Sequence, residues 1–186
     1  DALDSGIKNF IVGIGGSATN DGGAGFISAL GAKLLDDNNS EVKPSGANLN
    51  KISKIDLSDF DKRTKDITVN VACDVNNPMC GENGASAIFG PQKGASKSDI
   101  KMLDSNLLYW SEIIKAQFSK DILNVPGSGA AGGLGGGLMA FVNAQLSSGA
   151  DIILNSLNYD NKLKGVDLVI VGEGQTDKST QFNKSP

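Results

Sequence analysis

The chain has 186 residues, of which 39% are apolar and 20% are charged, so its composition is that of an ordinary globular protein. Its net charge of −4 disfavours binding to nucleic acid or to an anionic membrane surface. No apolar run approaches the length of a membrane span, and the first five residues lack the pattern of a signal peptide, so we expect a cytoplasmic protein.

The predicted elements alternate between strands and helices. Residues 10–14 predict a short buried strand, which a glycine-rich loop connects to a predicted helix at 24–35. A polar and irregular segment follows, in which the residues around Ile55 anchor the chain or form a short strand. Residues 67–73 give the clearest strand pattern, because β-branched residues partly alternate there.

The second half of the chain continues the alternation, with a short helix predicted at 84–89. Residues 96–118 predict the longest helix, because they begin with capping-box spacing and repeat apolar residues at steps of three and four. Two more helices are predicted at 138–146 and 151–163, followed by a buried strand at 167–171. The whole pattern predicts a single α/β domain over residues 1–186, with a mixed or mainly parallel sheet flanked by helices.

Two residue counts restrict the chemistry. The chain has no histidine, which excludes a histidine-dependent triad formed by this chain alone, and Arg63 is its one arginine. Cys73 and Cys80 fit neither a disulfide framework nor the ligand spacing of a zinc site, so we expect reduced thiols. Positive charge at an anion site must then come mainly from lysines, backbone N–H groups or a metal ion.

The first glycine-rich segment, residues 13–25, lies between a predicted strand and a predicted helix. This placement is typical of an anion site, because glycines allow backbone N–H groups to converge and a helix N-terminus is electropositive. Asp21 either faces a metal ion or caps the helix. The candidate ligand-binding residues here are Gly15, Gly16, Ser17, Thr19, Asn20 and Asp21.

A dinucleotide-binding turn is an alternative interpretation of the same segment. Gly13, Gly15 and Ala18 have the spacing G-x-G-x-x-A, and Asp36 and Asp37 lie about twenty residues further on, where a ribose-binding acid is expected. Such a turn runs directly into a helix, whereas residues 20–23 are poor helix formers.

Other candidates follow strand ends and tight bends. Asp74 ends the strand at 67–73, where α/β proteins place their ligands, and Lys93 lies in a bend close to glycines, from which it can reach a phosphate. Glu173 and Asp177 follow the last predicted strand and are candidates to hold Mg²⁺ or to accept a hydroxyl proton.

A second glycine-rich run at 127–137 contains the candidate residues Gly132 and Gly133. It is either a second backbone cradle for a ligand or a helix entrance that is packed too closely to admit side chains. The sequence alone leaves both interpretations open.

Five of these segments, taken in order, resemble the signature segments of bacterial glycerate kinases: residues 13–25, 72–81, 89–95, 126–135 and 172–177. The resemblance implies a protein about twice as long, with two α/β lobes and a cleft between them. It also implies that this chain is close to the inserted lobe and is cut at both ends.

The resemblance further implies transfer of the γ-phosphoryl group of ATP to a hydroxyl of D-glycerate, with the 2-phosphoglycerate product favoured and Mg²⁺ as a cofactor. In this scheme Asp74 and Asp177 contact Mg²⁺ or orient the glycerate hydroxyl, Glu173 is a further metal candidate, and Lys93 supplies positive charge. We expect the isolated chain to be nearly inactive. A dinucleotide-dependent oxidoreductase and a non-catalytic ligand-binding module are the alternatives, and the oligomeric state is left open.

Overall fold

The computed structural model describes residues 1–170. Within this range the strands are β1 (Asn9–Gly13), β2 (Lys33–Leu35), β3 (Lys54–Asp56), β4 (Thr68–Ala72) and β5 (Gln145–Ser147). The α-helices are α1 (Ala24–Ala29), α2 (Ala85–Phe89), α3 (Lys97–Phe118), α4 (Leu134–Val142), α5 (Gly149–Ser156) and α6 (Tyr159–Lys162). Short 3₁₀ helices cover Gly46–Lys51, Lys62–Asp66 and Pro91–Lys93.

The main sheet is parallel and has the strand order β1-β4-β5. Gly13 lies opposite Ala72, and Ala72 lies opposite Ser147, so the three strands end at the same edge of the sheet. Strands β2 and β3 form a separate antiparallel pair. The expected α/β fold with a mainly parallel sheet and flanking helices is therefore confirmed.

Two apolar clusters support this edge. In the first, Val69 and Val71 on β4 pack with Leu138 and Val142 on α4, and all four are buried. The second cluster surrounds Trp110 on α3. Burial of large apolar side chains is the main stabilising contribution in such clusters, at about 1.5–3 kcal/mol for each side chain.

Helix α3 matches its prediction closely. Ser96 accepts a hydrogen bond from the N–H of Asp99, and the Asp99 carboxylate accepts one from the N–H of Ser96, which makes a complete capping box. Trp110 lies fully buried on the apolar side of the helix, and its indole N–H donates to the carbonyl oxygen of Gly22 at 3.0 Å. The helix therefore holds the end of the first glycine-rich loop as well as the core.

Two predicted helices are shorter than the sequence pattern indicated. The helix predicted at 24–35 ends at Ala29, because Gly31 adopts φ of +97°, and residues 33–35 form β2 instead. The helix predicted at 138–146 ends at Val142, and Asn143 caps it in the left-handed conformation. Residues 145–147 then pair with β4 as β5, since tertiary pairing outweighs local propensity.

The region beyond β5 also differs from its prediction. The helix predicted at 151–163 is divided into α5 and α6 by Asn158, whose φ is +52°. The strand predicted at 167–171 is wrong for residues 167–170, which join no strand among the described residues. Leu168 and Ile170 are 74% and 87% exposed, so the burial that would stabilise a strand is missing there. Val171 lies outside the described residues.

The helices within residues 1–170 are all too short or too polar to cross a bilayer.

Candidate functional site

A cleft with a volume of about 240 Å³ opens at the carboxyl ends of β1 and β4. This is the edge at which open α/β sheets bind ligands. Four chain segments line it: Ile14, Gly15, Gly16 and Ser17 after β1; Ala72, Cys73, Asp74 and Val75 at the end of β4; Phe89, Gln92 and Lys93; and Ala130 and Ala131 before α4.

Lys93 is the basic side chain among the described residues that line this cleft. Its Nζ donates to the carbonyl oxygen of Thr19 at 2.6 Å and to the hydroxyl of Ser17 at 3.1 Å. Partial burial lowers the pKa of the Lys93 ammonium, and the negative charge of Asp21 opposes that shift. The 3₁₀ turn Pro91–Lys93 therefore presents a partly desolvated cation directly to the loop that follows β1.

The loop after β1 exposes its backbone to the cleft. Gly16 adopts φ of +67°, and a Cβ atom added to Gly15 or Gly16 would meet no atom within 4 Å. Within residues 1–170, the N–H groups of residues 17–19 donate no hydrogen bond. Open backbone and unpaired N–H groups next to a lysine are suited to an anionic ligand.

Asp21 does not line the cleft, because its carboxylate caps helix α1. One carboxylate oxygen accepts hydrogen bonds from the Thr19 hydroxyl at 2.9 Å and from the N–H of Gly23 at 3.1 Å. The other oxygen accepts the N–H of Gly25 at 2.9 Å. Of the two roles left open by the sequence, the described residues favour the cap.

Asn20 connects the same loop to helix α2. Its amide donates to the hydroxyl of fully buried Ser86 at 3.1 Å, while its Oδ1 atom is buried with no partner among the described residues. The backbone leads from Ser86 through α2 to Lys93, which contacts the loop a second time. The loop is thus fixed to one short segment at two points.

The second glycine-rich run supports the loop from beneath. Gly132 and Gly133 are both buried, and the carbonyl oxygen of Gly132 accepts the N–H of Gly22 at 3.0 Å. A Cβ atom on Gly132 would overlap the carbonyl oxygen of Thr19, and one on Gly133 would lie 2.7 Å from the sulfur of Met79. Close packing is therefore the interpretation that the geometry favours here, and neither glycine lines the cleft.

Asp74 is the acidic side chain among the described residues that line the cleft. It is exposed, and its Oδ1 atom accepts the N–H of Gly149 at 2.9 Å. Residues 1–170 contain no group of three or more potential metal-ligating side chains. Mg²⁺ in phosphoryl-transfer sites is bound by only one or two carboxylates together with phosphate oxygens, so Asp74 fits as one ligand. Glu173 and Asp177 lie outside the described residues.

Sequence reasoning missed three contributions to this site. Gln92 lines the cleft, Ser86 holds Asn20, and Gly149 holds Asp74. Only the last had a usable signal, because Ser148 and Asp151 have capping-box spacing and Ser148 does cap α5.

The geometry disfavours the dinucleotide-binding turn. Helix α1 begins only at Ala24, so the glycine pattern at 13–18 does not lead directly into a helix N-terminus. Asp36 is engaged in a local turn, where its carboxylate accepts the N–H groups of Asn38 and Ser40.

Comparison with known proteins gives one consistent family. The glycerate kinase family matches residues 1–186. The chain is 52% identical over 185 residues to "Glycerate 2-kinase" of Escherichia coli strain K12, covering 100% of this chain and 49% of that protein. It is 46% identical over 186 residues to "Glycerate kinase" of Halalkalibacterium halodurans, with the same coverage of 100% and 49%.

A solved structure agrees with the sequence matches. A crystal structure from Salmonella typhimurium LT2, described as that of glycerate kinase 2, superposes with a TM-score of 0.89 at 47% identity. The match covers 96% of this chain and 48% of that one. The chain therefore spans about half the length of the relatives it matches.

Proposed function

This chain belongs to the glycerate kinase family, and we propose that it forms one part of an enzyme that transfers the γ-phosphoryl group of ATP to a hydroxyl of D-glycerate. The 2-phosphoglycerate product is favoured, because the relative with 52% identity is named "Glycerate 2-kinase". In this proposal the chain corresponds to the inserted lobe of the longer enzyme.

The observation that carries the proposal is the position of Lys93. Phosphoryl transfer depends mainly on positioning and on stabilising charge on the transferring group. Lys93 places its ammonium in the cleft beside the open backbone of Gly15 and Gly16. In the proposed enzyme this lysine and the N–H groups of residues 15–19 bind an anionic group, either a phosphate of ATP or the carboxylate of glycerate.

Asp74, which lines the same cleft, is the proposed partner for Mg²⁺ or for the glycerate hydroxyl. Bound Mg²⁺ would neutralise charge on the phosphate oxygens. The chain's own contribution is to hold one carboxylate, that of Asp74, at the cleft that Lys93 also lines, while Glu173 and Asp177 remain proposed additional ligands. Other residues contribute indirectly, because they fix the loop that carries Gly15, Gly16, Ser17 and Thr19. These supporting residues are Asn20, Asp21, Gly132 and Gly133.

We also propose that the protein is located in the cytoplasm. Cys73 and Cys80 are both free, as is usual for a protein of a reducing compartment such as the cytoplasm.

Replacement of Lys93 tests the proposed function. We expect Lys93→Met in the intact protein to lower kcat/KM for ADP release with ATP, Mg²⁺ and D-glycerate by roughly 100-fold or more, because the cation is lost from the cleft. Lys97→Met is the matched control, since Lys97 is exposed and lies outside the cleft. Full activity of Lys93→Met would contradict the assigned role of this lysine.

Ligand-binding measurements beside this assay distinguish the alternatives. A folded wild-type protein that binds ATP or D-glycerate tightly but releases no ADP would favour the non-catalytic binding module. A rise in NADH fluorescence on titration would favour the oxidoreductase.

A further inference from the structure

The carboxylate of Asp74 is held by a residue 75 positions further along the chain. The N–H of Gly149 donates to Asp74 Oδ1 at 2.9 Å, and the position of a Cβ atom on Gly149 would be 3.4 Å from Asp74 Oδ2. Gly149 is the first residue of α5, after the N-cap Ser148. Its N–H is therefore one of the helix-terminal donors that has no partner inside the helix.

This bond fixes the direction of a side chain that is otherwise exposed. An exposed aspartate turns freely about its side-chain bonds, which costs positional precision at a catalytic site. A charge-assisted bond from a backbone donor restricts that freedom, because the donor is part of a capped helix and does not rotate. The electropositive N-terminus of α5 also attracts the Asp74 carboxylate and so helps to hold it in place.

From this contact we infer that Gly149 is a positioning residue for the reaction, and that helix α5 acts on the cleft by orienting Asp74 through the Gly149 N–H. The inference rests on the proposed function, because it is in that reaction that the orientation of Asp74 affects the rate.

Gly149→Pro removes the donor with little disturbance of the helix. Proline is well accepted at the first position of a helix, where its missing N–H has no helical partner. Ser148 has φ of −57° and ψ of 139°, which suits a residue before proline. Gly149→Ala keeps the N–H and adds a methyl group at ordinary contact distance from Asp74.

Lys97→Pro is a matched control for the proline itself. Lys97 is the first residue of α3 and follows the extended N-cap Ser96, whose φ is −71° and ψ is 168°. Its N–H donates to no residue within 1–170. This variant introduces the same residue at the same helix position without affecting Asp74.

We expect Gly149→Pro in the intact protein to lower kcat/KM by about 10- to 100-fold, the range found when a partner that orients a ligand is removed. Gly149→Ala and Lys97→Pro should stay within about 3-fold of wild type. In a double-mutant cycle, Gly149→Pro should add little to the loss caused by Asp74→Ala, because both changes affect one interaction. Wild-type turnover by Gly149→Pro, or full additivity in the cycle, would overturn the inference.

A second readout does not depend on any turnover. In intact protein labelled with ¹⁵N-glycine, the Gly149 amide resonance is assigned by its absence from Gly149→Pro. Loss of the acceptor in Asp74→Ala should move this resonance upfield, and an unchanged position would show that the bond is absent and overturn the inference. Wild-type protein without glycerate-dependent turnover would instead contradict the proposed function, whatever the amide reports.

Discussion

At the scale of single residues, Gly132 shows why the second glycine-rich run needs glycine where it packs against the first loop. Its φ of +67° and its contact with the backbone of residues 19 and 20 leave no room for a Cβ atom. Gly16 has the same φ but faces open space. Alanine substitutions at these two positions therefore separate the free-energy cost of the backbone conformation from that of the steric overlap.

Gly132→Ala should destabilise the chain by about 2 kcal/mol or more beyond the effect of Gly16→Ala. Each alanine carries a similar conformational cost of about 1–2 kcal/mol, and only the first also displaces the loop at Thr19. Urea unfolding of the two variants, followed by circular dichroism, measures the difference. Equal destabilisation would mean that the contact between the two glycine-rich segments is unimportant.

Hydrogen bonds between distant residues account for most of what the sequence did not reveal about the site. Asp74 and Lys93 were found from local patterns, a strand end and a tight bend, and both line the cleft. The bond from Asn20 to Ser86 spans 66 positions, so neither residue's role is visible locally. The sequence left two roles open for Asp21, a metal ligand or a helix cap. Only the three hydrogen bonds that its carboxylate accepts distinguish these roles.

At the scale of elements, the 3₁₀ helix Lys62–Asp66 begins with an ion pair that depends on pH. Asp61 caps this helix through the N–H of Arg63 at 3.0 Å, and its carboxylate also accepts the Arg63 guanidinium, with the shorter contact at 2.6 Å. Hydrogen bonds from Arg63 lower the pKa of Asp61 to about 2. Because the folded-state pKa lies below the unfolded value, the ionised carboxylate stabilises the fold above about pH 4.

Asp61→Asn should therefore be less stable than wild type near neutral pH, and the difference should shrink as pH falls from about 4 towards 2. Asparagine retains an oxygen that can accept the Arg63 N–H, so the lost contribution is mainly the charge. Urea unfolding at several pH values measures the difference in free energy. A difference that is constant between pH 7 and pH 3 would show that the ionisation of Asp61 contributes nothing.

Which elements were predictable depended on whether their signals were local. Helix α3 was predicted nearly residue for residue, because Ser96 and Asp99 fix its start and its apolar stripe is long. Strand β5 was not, because three residues form a strand there only through pairing with β4. The strand predicted at 167–171 failed over residues 167–170 for the opposite reason, since the apolar residues there find no partner among the described residues.

At the scale of the whole molecule, the chain forms its own core but offers few charged groups at the cleft. The two apolar clusters are built entirely from described residues of this chain. Among the described residues that line the cleft, the charged side chains are those of Lys93 and Asp74. We therefore expect this chain to fold by itself but to lack part of the catalytic site.

The isolated chain should fold cooperatively. With ATP, Mg²⁺ and D-glycerate it should release ADP at less than about 1% of the rate of the intact protein. The reason is that residues of one active site act together, so removal of some of them lowers the rate by about 100-fold or more. Circular dichroism on heating and a coupled ADP assay test the two halves of this expectation. Turnover comparable to that of the intact protein would place the complete active site within these 186 residues.

The two hydrogen bonds of Lys93 have a consequence for the thermodynamics of binding. An ammonium has three donors, and two of them are directed at Thr19 and Ser17. A free lysine loses about 2 kcal/mol of rotamer entropy when a ligand immobilises it, whereas this one is already ordered. An anion that accepts the remaining donor would therefore meet a preorganised cation, and calorimetry should record a smaller entropic penalty than for recruitment of a mobile surface lysine.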